Sequence, residues 1–177
     1  MVKIIKTKIK DLLIIKKETY KDKRGFLREL YRENLLSKKF VFEILSNSNK
    51  NVIRGLHLQK KNSQGKYVTV LNGKAFDVAV DLRKTSNTFG KYYCCILSEK
   101  NSKSIFIPPG FAHGFQALEK ENHIIYSCTQ YRNSESEIAI SFNDNDLNIK
   151  WPSKKVIVSE KDKKAISFQE FKKIILK

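Results

Sequence analysis

The chain has 177 residues, 41% of them hydrophobic and 30% charged, a balance that suits one globular domain over residues 1–177 and excludes a disordered chain. Its net charge of +17 comes from 35 cations, but 29 of these are Lys and only 6 are Arg, whereas nucleic-acid readers favour the bidentate fork of Arg. The lysines run along the whole sequence without a block of five, and no helix-turn-helix, zinc-finger or RNP pattern accompanies them, so the expectation is a solvated basic surface with no nucleic-acid partner.

In chain order, Met1 to Lys6 lacks a signal-peptide core and no run of 18 apolar residues follows anywhere, so neither secretion nor a membrane span is expected. Glu29 to Leu36 reads as a short helix or, in part, a strand. Lys66 to Leu71 and Lys74 to Asp81 flank Asn72-Gly73, which predicts a hairpin closed by a type I′ turn. Further strands are expected over Tyr92–Leu97, Ser104–Pro108, His123–Thr129 and Glu137–Phe142. Short strands at such intervals predict an all-β antiparallel sandwich or barrel. Ser159-Glu160-Lys161-Asp162 resembles a capping box opening a helix, and Phe168, Phe171 and Ile175 follow at helical spacing. The three cysteines, Cys94, Cys95 and Cys128, form no CxxC pair and no disulfide framework, which favours a reducing, cytoplasmic setting.

Two segments could carry chemistry. In Arg54-Gly55-Leu56-His57-Leu58-Gln59 the histidine is a candidate metal ligand, base or core residue. Ile107-Pro108-Pro109-Gly110-Phe111-Ala112-His113-Gly114-Phe115 resembles the second half-motif of the cupin superfamily of small jelly-roll barrels. The first half-motif of metal cupins supplies His-x-His and a Glu, but here His57-Leu58-Gln59 is followed by Lys60 and Lys61. A three-His-plus-carboxylate site does not assemble from these positions, so a barrel without a metal is expected. His123, among Glu119, Lys120 and Glu121, reads as a surface residue.

A wider set of motifs covers nearly the whole chain. These are Arg24-Gly25-Phe26 with Glu29, Asn51 through Gln59, Gln64-Gly65-Lys66, Phe76-Asp77-Val78-Ala79-Val80-Asp81-Leu82-Arg83-Lys84, and Thr88-Phe89-Gly90. Then come Ile107 to Phe115, Tyr126 with Thr129 and Tyr131, Glu135-Ser136-Glu137, Trp151-Pro152 and Ser159 to Asp162. In this order and spacing the chain resembles the dTDP-4-dehydrorhamnose 3,5-epimerase family. The resemblance implies a cupin-type jelly-roll barrel with short helices near the termini, a homodimer, and no cofactor. It implies a nucleotide-diphosphate sugar as substrate, a 4-keto-6-deoxyhexose inverted at C3 and C5.

By the same resemblance His57 is the base, Asp162 its orienting carboxylate, Tyr126 the acid opposite, and Lys66 the cation near the keto oxygen. Imidazole titrates near the working pH, which suits proton abstraction beside a ketone. A cation near the oxygen gains value as an enolate forms, so it favours the transition state over the ground state. Arg24, Glu29, Arg54, His113, Glu137 and Lys161 match substrate-contact positions, with Arg24 and Arg54 suited to a pyrophosphate. Asp77, alternating with Phe76 and Val78, is either an outward surface carboxylate or one aimed into the barrel. On the residues alone, Asp162 reads first as a capping-box acid, and strand tyrosine and solvated lysine remain open readings of Tyr126 and Lys66.

The sequence departs from the family pattern in two places. Phe42-Glu43-Ile44 stands where members usually carry Gln-Asp-Asn, a nucleotide-sugar contact segment, and Arg132 stands where a second consecutive Tyr is common. Neither touches the four catalytic positions. The alternatives left open are a C3-only epimerase, an enzyme for another nucleotide sugar, a 3,4-ketoisomerase, and a basic cupin that binds without turnover.

Overall fold

The structure is a computed structural model that describes residues 2–176. Thirteen strands are named in chain order: β1 (Lys3–Lys6), β2 (Leu13–Lys16), β3 (Tyr20–Asp22), β4 (Gly25–Leu27), β5 (Phe42–Asn49), β6 (Ile53–Gln59), β7 (Lys66–Asn72), β8 (Lys74–Asp81), β9 (Tyr92–Ser98), β10 (Lys103–Ile107), β11 (Phe111–Ala117), β12 (Glu121–Cys128) and β13 (Glu137–Ala139). Two short helices, α1 (Glu160–Lys163) and α2 (Phe168–Leu176), come last. No helix among the described residues is long and apolar enough to cross a membrane.

The strands form two antiparallel sheets and a separate hairpin. One sheet runs β1-β2-β10-β7-β12-β5 and the other β13-β6-β11-β8-β9, with β3–β4 outside both. The expected all-β antiparallel architecture is therefore present. Its core joins Val68, Val70, Ile105, Ile107 and Ile124 of the first sheet to Ala75, Ala79, Leu97, Phe111 and Phe115 of the second. The second sheet is buried on its outer face too, where Leu56, Leu58, Val78, Val80 and Ala112 meet Phe168 and Phe171 of α2. That double burial explains why all seven residues of β11 are buried and why it lacks an alternating pattern.

The Asn72-Gly73 hairpin does not form. β7 pairs with β10 and β12, whereas β8 pairs with β11 and β9. The chain instead crosses from one sheet to the other at Gly73, which has φ +82° and faces the β12 backbone so closely that a Cβ would stand 2.4 Å from Glu121 O. The local turn signal is real, but closing the barrel sends the two strands to different partners. Glu29 to Leu36, expected as helix or strand, contains only a 3-10 turn over Glu33–Leu35. The strand expected over Glu137–Phe142 stops at Ala139.

The C-terminal helix is divided. Ser159 caps α1 by accepting from the Asp162 N–H at 3.1 Å, and the chain then leaves the helix so that Ile166 bridges Ile140. Upstream, Ile157 bridges Val52 beside β6, with Ile53 N–H donating to Ile157 O at 2.9 Å. Anchored on both sides, α1 is held against β6, which fixes where Asp162 points.

Candidate active site

A cavity of about 500 Å³ opens between the two sheets. β6 and β11 form one of its walls. Gly55 of β6 has φ +133° and lies so close to Gly114 of β11 that a Cβ on it would sit 2.5 Å from the Gly114 Cα. Only glycine fits this contact. The pairing shifts register here, with His57 opposite His113 but Arg54 opposite Phe115. The outcome is two histidines side by side on one cavity wall.

Each histidine has its own carboxylate. His57 Nε2 lies 2.6 Å from Asp162 Oδ1, with Asp162 4% exposed and the His57 side chain 26% exposed. Asp162 Oδ2 also accepts from the Gly55 N–H at 3.5 Å. Burial works against the Asp162 charge, but the bonds from His57, Gly55 and Ser159 outweigh it and hold the carboxyl below its ordinary value. Asp162 thus closes the helix cap through its backbone and meets His57 through its side chain. His113 Nε2 lies 2.9 Å from Asp77 Oδ2, both residues being buried. Asp77 therefore points inward, and its Oδ1 has no hydrogen-bond partner.

The opposite wall belongs to the first sheet. Tyr126 of β12 faces into the cavity with its ring 5.9 Å from His113 and 6.4 Å from Phe115. Its hydroxyl lies 3.4 Å from Ser46 Oγ on β5. Burial pushes the Tyr126 phenol well above its ordinary value. Lys66, at the start of β7, lines the same cavity half-buried. Burial also lowers the Lys66 pKa, since desolvation disfavours its charge.

The rim is charged. Arg54 donates through Nε to Ser48 Oγ at 3.0 Å and through Nη2 to Asn47 O at 3.1 Å. Glu137 accepts from Lys161 Nζ at 2.6 Å and from Arg132 Nη2 at 3.0 Å. His57, Tyr126, Asp162, Lys66, Arg54, His113, Glu137 and Lys161 all line this cavity, and Asp77 reaches it through His113. Arg24 and Glu29 do not. Arg24 sits at the β3–β4 turn, paired with Asp22 at 2.6 Å and 84% exposed, and Glu29 pairs with Arg32 at 2.5 Å on the surface. Neither lines the cavity: Arg24 lies in the β3–β4 hairpin, outside both sheets, and Glu29 lies just beyond it. His123 is a surface residue, 3.1 Å from Glu121.

Ser46, Gln64, Cys128 and Ser159 also line the cavity. Ser46 was legible only through strand alternation, because Ile44 and Ser46 share the inward face of β5. Among the described residues no group of three or more His, Cys, Asp or Glu is placed to hold a metal ion.

Known proteins are similar to this chain in sequence and fold. The family model described as dTDP-4-dehydrorhamnose 3,5-epimerase matches residues 6–170. The dTDP-4-dehydrorhamnose 3,5-epimerase of Methanothermobacter thermautotrophicus is 43% identical over 169 residues, covering 91% of each chain. That of Salmonella typhimurium is 44% identical over 159 residues, covering 86% of this chain and 87% of its own. Among solved structures, the dTDP-6-deoxy-D-glucose-3,5-epimerase of Legionella pneumophila, in complex with dTDP-4-keto-L-rhamnose, superposes with a TM-score of 0.92 at 43% identity. That match covers 96% of this chain and 94% of the other. A barrel of two antiparallel sheets with this sequence is the cupin jelly roll of those enzymes, and the chain belongs to the dTDP-4-dehydrorhamnose 3,5-epimerase family of isomerases.

Proposed function

We propose that the protein is a 3,5-epimerase acting on a thymidine-diphosphate-linked 4-keto-6-deoxyhexose, as its relatives are named. The observation that carries this reading is the division of the cavity walls. His57, backed by Asp162, belongs to the second sheet, and Tyr126 belongs to the first. A hexose ring held between them meets a base on one face and an acid on the other, which is what inversion requires.

The 4-keto group acidifies the C3 and C5 hydrogens. His57 takes one of these protons, and Asp162 stabilises the imidazolium that forms. The electron pair moves onto O4 as an enolate, where Lys66 supplies positive charge. Tyr126 returns a proton to the carbon from the far face and is reprotonated from solvent, while the His57 imidazolium gives its proton up to solvent and is again a base. The same steps at the second carbon complete the reaction, since both carbons flank one ketone. No oxidant or cofactor enters this sequence, because protons leave and return while the ring's oxidation state is unchanged.

His113, held by Asp77, contacts the sugar beside Tyr126. Arg54, Lys161 and Glu137 contact the nucleotide portion at the rim. Arg24 and Glu29 act in the cavity of a second copy of the chain, so the working form is a homodimer. This is supported by the β3–β4 hairpin outside both sheets, which exposes Tyr20, Phe26 and Leu27 at 64%, 62% and 74%.

Incubation with dTDP-4-keto-6-deoxyglucose in deuterium oxide tests the reading. Two carbon-bound deuteriums with both centres inverted are expected. One deuterium, at C3 only, identifies a C3-epimerase. A migrated ketone identifies a 3,4-ketoisomerase, and no exchange overturns the reading in favour of another nucleotide sugar or a binding protein.

A further inference from the structure

At one end of the cavity, two cations share one carboxylate oxygen. Glu137 Oε2 accepts from both Lys161 Nζ and Arg132 Nη2. Burial opposes the Glu137 charge, but these two cations outweigh it and hold the carboxyl below its usual range. The cluster therefore keeps one unit of positive charge in excess. Arg132 lines the cavity with its side chain 60% exposed, and its Nε and Nη1 have no hydrogen-bond partner among the described residues. A guanidinium edge is thus free at the mouth.

The backbone that carries Arg132 is held on both sides. Gln59, buried at the end of β6, donates from Nε2 to Tyr131 O at 3.2 Å and to Asn62 O at 2.7 Å, while its Oε1 accepts from the Asn133 N–H at 2.8 Å. Residues 131 and 133 are therefore fixed by one amide. Gln59, where a metal cupin would carry a ligand, instead fixes the position from which Arg132 emerges.

We propose that Arg132 is a specificity-determining residue of this chain, its free guanidinium edge binding the diphosphate of the nucleotide sugar while its Nη2 is paired with Glu137. This rests on the nucleotide-sugar reading above. A planar guanidinium matches phosphate oxygens as a bidentate fork. An aromatic residue at this position offers ring surface but no charge, so Arg132 shifts recognition toward the anionic part of the ligand. Binding needs no covalent step; phosphate oxygens take the free donors and compete with Glu137 for Nη2.

Calorimetric titration of the full chain with thymidine diphosphate and with thymidine is the test. Arg132→Gln is expected to weaken thymidine diphosphate about tenfold, the weight of one charge-assisted contact, and to leave thymidine unchanged. It should also make the salt dependence of diphosphate binding shallower and raise KM while kcat is kept. Arg132→Lys should fall between the wild type and Arg132→Gln, since it keeps the charge but loses the planar fork. The proposal is overturned if Arg132→Gln binds thymidine diphosphate within about twofold of wild type, or if thymidine is weakened equally. A wild type that neither binds thymidine diphosphate nor turns over the sugar overturns the functional reading itself, whereas failure of the Arg132 variants alone leaves that reading standing.

Discussion

His57 and Asp162 lie 105 positions apart in the chain and meet at 2.6 Å. The contact depends on α1 being anchored to β6 through the Ile157–Val52 bridge on one side and to Ile140 through Ile166 on the other. Asp162 accordingly has two separable duties. Its N–H completes the Ser159 cap, and its carboxylate meets the imidazole.

Those duties predict different outcomes for two variants. Asp162→Asn keeps the backbone cap but removes the charge opposite His57, so kcat should fall about 10²–10⁴-fold with little change in melting temperature. Ser159→Ala removes the cap acceptor, which should cost about 1 kcal/mol of stability and a smaller part of kcat. Steady-state kinetics and urea denaturation on both variants check this. Equal kinetic losses in the two would mean that Asp162 acts only by holding the helix.

The Gly55–Gly114 contact makes a prediction about folding. Gly55→Ala forces a side chain into a left-handed backbone, at about 1–3 kcal/mol, and drives its Cβ against the neighbouring strand, at about 1–3 kcal/mol more. A loss of about 3 kcal/mol is expected in the urea unfolding free energy. A loss under about 1 kcal/mol would show that β6 and β11 can separate without cost, contrary to the close approach described.

Asp81 should govern part of the acid stability. It is fully buried and takes bonds from Arg83, Ser86 and Thr88 at 2.6–2.9 Å. Burial opposes its charge, but those bonds lower its pKa from 3.8 to about 2. A depressed carboxyl stabilises the fold above its unfolded pKa and loses that contribution as pH falls from about 4 toward 2. That contribution is about 2 kcal/mol at neutral pH. Asp81→Asn should thus be less stable than wild type at pH 6, with the gap narrowing by that amount at pH 2. A gap independent of pH would assign the effect to packing instead.

Much of this organisation was readable in the residues. The alternation on both sides of Asn72-Gly73 identified two strands correctly, but a turn signal is local and does not say which strands pair. In a jelly roll the chain crosses between sheets there, so β7 and β8 lie in different sheets. β11 carries no alternation because both of its faces are covered, and its place was legible only through Gly110 and His113. Asp162 read first as a capping-box acid, since the geometry that turns its carboxylate to His57 arises from two bridges distant in sequence. Arg24 and Glu29 matched the family motif but fall outside their own cavity, and no periodicity within one chain encodes that. Asp77, ambiguous from its neighbours, is settled by the register that sets β8 against β11, where its strand meets Phe115 and its side chain meets His113.

The central claim is that His57 and Tyr126 act from opposite walls on one ring. Deuterium incorporation by Tyr126→Phe, followed by mass and proton NMR on dTDP-4-keto-6-deoxyglucose, tests it most directly, with His57→Ala run alongside. The account predicts that Tyr126→Phe still exchanges carbon-bound hydrogen, because the base remains, yet inverts neither centre at more than about one hundredth of the wild-type rate. His57→Ala should not exchange. Inversion by Tyr126→Phe at close to the wild-type rate, or persistent exchange by His57→Ala, would contradict it.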